Sequence, residues 1–386
     1  MSKISEVQGR VILDSRGKPT VEVKIRTDDG LEAIDSVPSG TSTSSREAAL
    51  VEPSLAVANI NQIIAAKLIG QEVTAQREID QMMIALDGTA NKAKLGANAI
   101  LGVSLAVARA AAMASKMPLF WYLNKFFRQI SASETEPKIP TPMMVMICGG
   151  QHGGNRLCIQ EFLLIGKIEQ GRKVWQTIKK ILKKRRIDYK LGLEGAFSPD
   201  LQYDEDALDI ILEAIQASGL RLNQDVRLGL DIAGNNCRMT AADICRLFEK
   251  YQLYSLEDPF AETAWSQFSQ LKLELEKSGR DFLLIGDDLF ATHKNLLQKG
   301  IDDQVANGII IKANQVGTLT ETMEVVALAK KAKFQGVVSH RSGETQDTFI
   351  ADLAVAVAAE FLKSGAPIPR ERLLKYRRLK EIESEL

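Results

Sequence analysis

Five short apolar runs in the second half of the chain, at 228–232, 254–256, 282–285, 308–311 and 337–339, are each followed by a stretch of helical periodicity. Repeated strand-then-helix segments build parallel βα units, because a parallel neighbour can be reached only through a crossover. The polar residues that close these runs are Asp231, Glu257, Asp287, Lys312 and His340, separated by 26, 30, 25 and 28 positions, so one βα unit fits each interval. In a closed barrel the carboxyl ends of the strands open on one mouth, and these five side chains converge there. The competing architecture is a doubly wound open sheet, marked by a glycine-rich phosphate loop after its first strand. No GxGxxG or GxxxxGK motif occurs in the sequence. The expected fold class is α/β, with a βα barrel in the C-terminal part.

The first third is patterned differently. Val21, Val23 and Ile25 alternate with Glu22, Lys24 and Arg26, a strand that stops at the Asp28-Asp29-Gly30 turn before a second apolar run. From Ser45 to about Phe127 the period is helical and Ala-rich, and it breaks in the polar stretch Ser131–Pro137, with Pro140 and Pro142 beyond it. This predicts two domains: 1–135, an antiparallel meander followed by helices, and 136–386, the barrel.

With 49 basic and 49 acidic residues the formal net charge is zero, so no global field favours nucleic acid or an anionic membrane. Ten Lys or Arg residues against Glu169 and Asp188 between Lys167 and Lys190 form the one basic run, and interleaved Trp175, Ile178, Ile181 and Leu182 mark it as the solvated face of an outer helix. Cys148, Cys158, Cys237 and Cys245 include no CxxC pair and accompany only three histidines. That pattern argues against a zinc site and a secreted disulfide framework and fits a reducing cytoplasm. The amino terminus, with Lys3, Glu6, Arg10 and Asp14, lacks the apolar core of a signal peptide. The most apolar stretch, Ala97–Ala114, contains Asn98, Ser104 and Arg109 and suits a buried helix better than a bilayer span. The reading is a soluble, cytoplasmic protein.

Asp231, Glu257 and Asp287 at successive strand ends repel one another unless a cation lies between them, and hard oxygen ligands without thiolate or clustered imidazole point to Mg²⁺. The plainer alternative for each is a helix cap or a lysine partner. Lys312 follows an apolar run, where burial and a nearby cation should lower its pKa and make it a base; it could equally be a structural partner of the carboxylates. Glu161 and Glu194 are candidate acids. Ser339-His340-Arg341-Ser342-Gly343 offers a guanidinium, a hydroxyl and loop amides suited to a phosphate monoester. Loops 149–154 and 38–44 are rich enough in glycine and serine to close over a substrate.

These segments resemble enolase. The likeness runs through Ile12-Leu13-Asp14-Ser15-Arg16-Gly17, Gly96-Ala97-Asn98-Ala99-Ile100-Leu101-Gly102, Gln160-Glu161-Phe162, Glu257-Asp258-Pro259, Gly286-Asp287-Asp288-Leu289, Lys312 with Asn314-Gln315-Val316-Gly317, Ser339–Thr345 and Lys363-Ser364-Gly365-Ala366-Pro367. The resemblance implies a modified TIM (βα) barrel carrying an N-terminal α+β domain, and a reversible dehydration of 2-phosphoglycerate to phosphoenolpyruvate in glycolysis or gluconeogenesis. It implies two Mg²⁺ ions per site, Asp231, Glu257 and Asp287 as ligands of the first and Ser39 as the protein contact to a second that arrives with substrate. Lys312 is the implied base and Glu194 the acid, assisted by Glu161. Lys363 is the implied contact to the substrate carboxylate and Arg341 and Ser342 to its phosphate, with His152 and His340 as the remaining active-site histidines. A homodimer or larger homo-oligomer is the implied assembly.

The sequence also departs from that family. Leu193-Glu194-Gly195-Ala196 replaces an Asp before the acid and a second glycine after it, Cys148 stands for Asn, Cys158 for Asp and Ser44 for Gly, and the segments after Asp231 and between Glu161 and Glu194 are short. Two other functions therefore stay in view: an enolase-like enzyme for a phosphonate analogue, of the carboxyphosphonoenolpyruvate synthase type, and a non-catalytic binding protein using the basic run.

Overall fold

The structure, a computed structural model, describes residues 2–40 and 44–386; Thr41, Ser42 and Thr43 of the 38–44 loop lie outside them. Strands β1 (Ile4–Leu13), β2 (Pro19–Thr27) and β3 (Glu32–Ser36) form an antiparallel meander in the order β1-β2-β3. Val21, Val23 and Ile25 are fully buried, as the alternation along β2 requires. They face the helix Ala97–Ala114, which comes close enough that a Cβ on Gly102 would fall 2.7 Å from Val23 Cγ2. By length and composition this helix could cross a membrane, but 83% of it is buried inside the protein. Its polar residues are used within the fold: Asn98 Nδ2 donates to Val51 O at 2.8 Å, Ser104 Oγ accepts from Leu319 N at 3.0 Å, and Arg109 pairs with Asp35 and Asp347.

The barrel strands are β4 (Thr141–Cys148), β5 (Glu161–Ile165), β8 (Arg227–Asp231), β9 (Ser255–Glu257), β10 (Leu283–Gly286), β11 (Gly308–Ile311), β12 (Gln335–Ser339) and β13 (Phe361–Lys363). Paired in that order and closed by β13 on β4, they make an eight-stranded barrel. A short hairpin of β6 (Tyr189–Leu191) and β7 (Phe197–Pro199) joins it through the pairing of Ile147 with Phe197. From β8 to β13 and on to β4 all pairs are parallel, whereas β5 runs antiparallel to both neighbours. Alternate strand residues, Met143, Val145, Leu163, Ile285, Ile310 and Val337 among them, form their own buried cluster that fills the barrel below the mouth.

Strand direction decides where side chains arrive. Because β5 is reversed, its first residue, Glu161, lies at the rim where the parallel strands end. The register sets Cys148 opposite Glu161, Glu161 opposite Asp231 and Asp231 opposite Glu257, so four strands deliver one row of residues to the mouth. The cysteine expectation is corrected here: Cys158 and Cys237 form a disulfide, with 5.2 Å between their Cα atoms, while Cys148 and Cys245 are free. A spacing of 79 residues gives no sign of such a pair, since the two loops that carry them meet only when β5 and β8 pair.

Candidate active site

One cavity is lined by His152, Glu194, Asp231, Asp287, Lys312, His340, Arg341, Ser342 and Lys363, together with Gly40, Gln160, Asp258 and Asp288. Glu161 and Glu257 stand behind Lys363, and Ser39 adjoins Gly40. The ammonium of Lys363, delivered by the last residue of β13, is 2.8 Å from Glu161 Oε2, 3.1 Å from Asp231 Oδ2 and 2.8 Å from Glu257 Oε2. This is the cation that the carboxylate row requires. Burial opposes the charge on Lys363, but Asp231, Glu161 and Glu257 outweigh it and hold its pKa well above the ordinary lysine value. Glu257 is pushed well above the carboxylate range by burial and by Asp231, with Lys363 opposing.

Across the mouth Lys312 pairs with Asp287. Burial would lower Lys312, but the Asp287 carboxylate raises it above the ordinary value, which corrects the expectation of a lowered pKa. Asp287 is fixed from two sides: Gln315 Nε2 donates to its Oδ1 at 3.1 Å, and its backbone N–H donates to Asp258 Oδ1 at 3.0 Å. Asp258 also accepts from Asp288 N at 2.6 Å, so this buried carboxylate holds the whole 287–288 turn.

The third group comprises Glu161, Glu194 and two histidines. Glu194 sits in the turn between β6 and β7, where Gly195 has φ +79° and a Cβ would fall 2.0 Å from Pro369 Cγ. His152 Nδ1 is 3.0 Å from Glu161 Oε1 and 3.7 Å from Glu194 Oε1, and His340 Nε2 is 3.1 Å from Glu194 Oε2. Burial works against a charged His152, yet Glu194 and Glu161 raise it to about 9. Burial takes His340 down to about 4, Arg372 adding to the effect and Glu194 opposing it. Glu161 is raised by burial and by the Glu194 charge, whereas Glu194, despite burial, is held well below the usual range by His340 and His152. Glu161 Oε2 and Glu194 Oε2 are buried, the first 2.8 Å from the Lys363 ammonium and the second 3.1 Å from His340 Nε2.

At the remaining edge Arg341 donates to Glu47 Oε2 at 3.0 Å and to Asn314 Oδ1 at 2.8 Å. Ser342 Oγ accepts from Arg16 at 3.3 Å. Ser39 Oγ donates to Asp14 at 2.9 Å and accepts from Arg16 at 2.6 Å, and its backbone bridges to Gly343. The N-terminal domain thus reaches the rim.

For a metal ion, the described residues offer two groups whose ligand atoms lie within 4.8 Å of one another: His152, Glu161 and Glu194, and Asp258, Asp287 and Asp288. Asp231 and Glu257 close on Lys363 instead. Asp231 and Glu257 share the Lys363 ammonium and Asp287 pairs with the Lys312 ammonium, so all three donors are carboxylate oxygens that already face positive charge, a chemistry that fits Mg²⁺.

Several contributors escaped the sequence reading. Gln160 reaches Asp231 Oδ2 at 3.3 Å, and Arg372, with no exposed surface, donates to His340 Nδ1, to Arg341 O at 2.6 Å and to Ser342 O at 2.7 Å. Lys375 pairs with Glu344 at 2.7 Å. The signal was present: in the charged helix Arg370–Glu385, Arg372 and Lys375 lie on the stripe of Tyr376, Leu379 and Ile382 that faces inward.

An eight-stranded barrel with one reversed strand, capped by an antiparallel meander and carrying carboxylates and lysines at its mouth, defines a member of the enolase superfamily. Residues 4–123 match the family model of the enolase N-terminal domain, and residues 136–243 and 238–386 match that of the enolase C-terminal TIM barrel domain. The chain belongs to the enolase family.

Proposed function

We propose that this chain catalyses the Mg²⁺-dependent, reversible dehydration of 2-phosphoglycerate to phosphoenolpyruvate. The observation that carries the reading is that Lys312 and Glu194 line one cavity together with three anion-binding groups, Arg341, Ser342 and Lys363. Two Mg²⁺ ions, the first at Asp231, Glu257 and Asp287 and the second reaching Ser39, would supply the positive charge needed where the substrate carboxylate gains a second negative charge.

The chain's own residues divide the remaining work. Arg341 and Ser342 bind the phosphate and Lys363 the carboxylate, leaving the row of acids it neutralises in the free protein. With Asp287 and Glu257 committed to a cation, what remains around Lys312 is burial, Arg341 and Lys363, all of which lower its pKa. Lys312 then takes the proton next to the carboxylate. Hydroxide leaves by taking a proton from Glu194. Since Glu194 is ionised in the free protein, that proton comes to it from His152, which is raised to about 9 and whose Nδ1 lies between Glu161 and Glu194.

The two half-reactions separate experimentally. Lys312→Ala should abolish deuterium exchange at C2 of 2-phosphoglycerate in D₂O, followed by proton NMR. Glu194→Gln should keep that exchange while losing phosphoenolpyruvate formation. Equal loss of both by Glu194→Gln would remove it from the acid role, and turnover of a phosphonate analogue without turnover of 2-phosphoglycerate would move the substrate assignment.

A further inference from the structure

The disulfide joins two segments that flank the presumed metal ligand Asp231. Cys158 lies three residues before Glu161, in the loop between β4 and β5; Cys237 lies six residues after Asp231, in the tight turn that follows β8. Gln160 donates through its backbone to Asp231 O at 3.1 Å and through its side chain to Asp231 Oδ2 at 3.3 Å. On the other side Ala233 N donates to Asp231 Oδ1 at 3.1 Å, and Cys237 N donates to Ala233 O at 3.1 Å. The bridge therefore closes a ring of contacts around one carboxylate.

The same turn reaches the N-terminal domain. Asn235 Oδ1 accepts from Glu262 N at 3.0 Å, and the Glu262 carboxylate accepts from Ser44 Oγ at 2.6 Å and Ser45 Oγ at 3.0 Å, at the base of the 38–44 loop. What fixes the 233–237 turn thus also bears on Ser44 and Ser45.

Access to the bridge is one-sided: Cys158 is exposed and Cys237 is buried. We propose that Cys158–Cys237 is a thiol–disulfide exchange site, opened by a dithiol reductant and closed by a disulfide oxidant, whose state sets how firmly the two segments flanking Asp231 are held. A thiolate of the dithiol attacks Cys158 Sγ, the S–S bond breaks, and Cys237 leaves as thiolate and takes up a proton. The second thiol of the reductant then displaces Cys158 from the mixed disulfide. Two electrons pass to the bridge, which becomes two thiols, and the dithiol becomes a disulfide. Cys148 does not compete as a nucleophile, because burial and the Glu161 and Glu194 charges raise its pKa and keep it a thiol.

The test needs no catalysis, so it stands apart from the reaction assigned above. Full-length protein treated with oxidised glutathione should, after alkylation in denaturant, carry label on Cys148 and Cys245 only, with a 158–237 cross-linked peptide in its digest. Native protein treated with dithiothreitol should carry label on all four cysteines while keeping its circular dichroism. Amide hydrogen exchange in 149–161 and 231–238 should then rise on the order of tenfold over the oxidised form. Cys158→Ser should show the fast exchange without reductant, and dithiothreitol should change it no further. Absence of the cross-linked peptide, reduction only in denaturant, or equal exchange in the oxidised and reduced forms would each overturn the proposal.

Discussion

The guanidinium of Arg372 has only donors, so the His340 nitrogen it meets must accept, which leaves the proton on Nε2, the nitrogen 3.1 Å from Glu194. With its pKa near 4, His340 stays neutral at physiological pH and faces the acid as a donor of fixed tautomer. Arg372→Met should lose this fixed tautomer, read from the ¹⁵N shifts of His340, and should be destabilised by about 3 kcal/mol because the buried Arg341 and Ser342 carbonyls lose their donor; Arg372→Lys should recover part of the stability. His152 titrates in the opposite sense. Its folded pKa of about 9 exceeds the ordinary histidine value of about 6.5. The stability it contributes is fully present below pH 6.5 and is lost as pH rises through about 9. Chemical denaturation at pH 6 and pH 9.5 should show that loss in the parent chain and a smaller one in His152→Gln.

At the scale of elements, the bridge spans 79 residues, and loop closure of that length stabilises the fold by about 4.5 kcal/mol relative to the reduced unfolded chain. Denaturant unfolding should show a lower midpoint in Cys237→Ser than in the oxidised parent, and no difference once both are in dithiothreitol beyond the effect of the side chain itself. The parallel strands β8 to β12 were legible in the sequence because a polar residue closes each apolar run, at the strand's last position or just beyond it; only their limits differ by a residue or two, as for β8, which ends at Asp231 rather than 232. The reversal of β5 was not legible from pattern. A run such as Glu161–Ile165, buried at every position, has the same appearance in either direction, and only pairing with β4 and β8 sets its sense. The hairpin that carries Glu194 has three-residue strands, too short for any period to show. Cavity-lining residues at strand ends could therefore be read directly, while those supplied by reversed strands, short turns or inward-facing charges of a surface-like helix needed tertiary structure or a family motif.

Over the whole molecule, two surfaces stand out. The basic run 167–190 is spread along the helix Ile168–Arg185, with Lys179 over the Trp175 ring and Arg185 paired with Glu213, the arrangement of a solvated face. The outer side of the meander instead exposes Val11, Leu13 and Ile34, Leu13 at 66%, beside a cleft of about 470 Å³ lined also by Glu344, Asp347 and Arg370. A second copy of the chain is the partner proposed for this face. Sedimentation velocity should give a dimer for the parent and a monomer for a Leu13→Glu, Ile34→Glu variant. The proposed chemistry would place its demands on both domains at once, since Ser39 and Glu47 come from the first and the residues proposed for proton transfer from the barrel. The decisive measurement is phosphoenolpyruvate absorbance with purified protein and 2-phosphoglycerate, with Mg²⁺ and after its removal by chelation, beside Lys312→Ala. Formation should require Mg²⁺ and fall by on the order of 10²–10⁴ in the variant; a folded parent protein with no activity in Mg²⁺, or a variant as active as the parent, would overturn the proposed reaction.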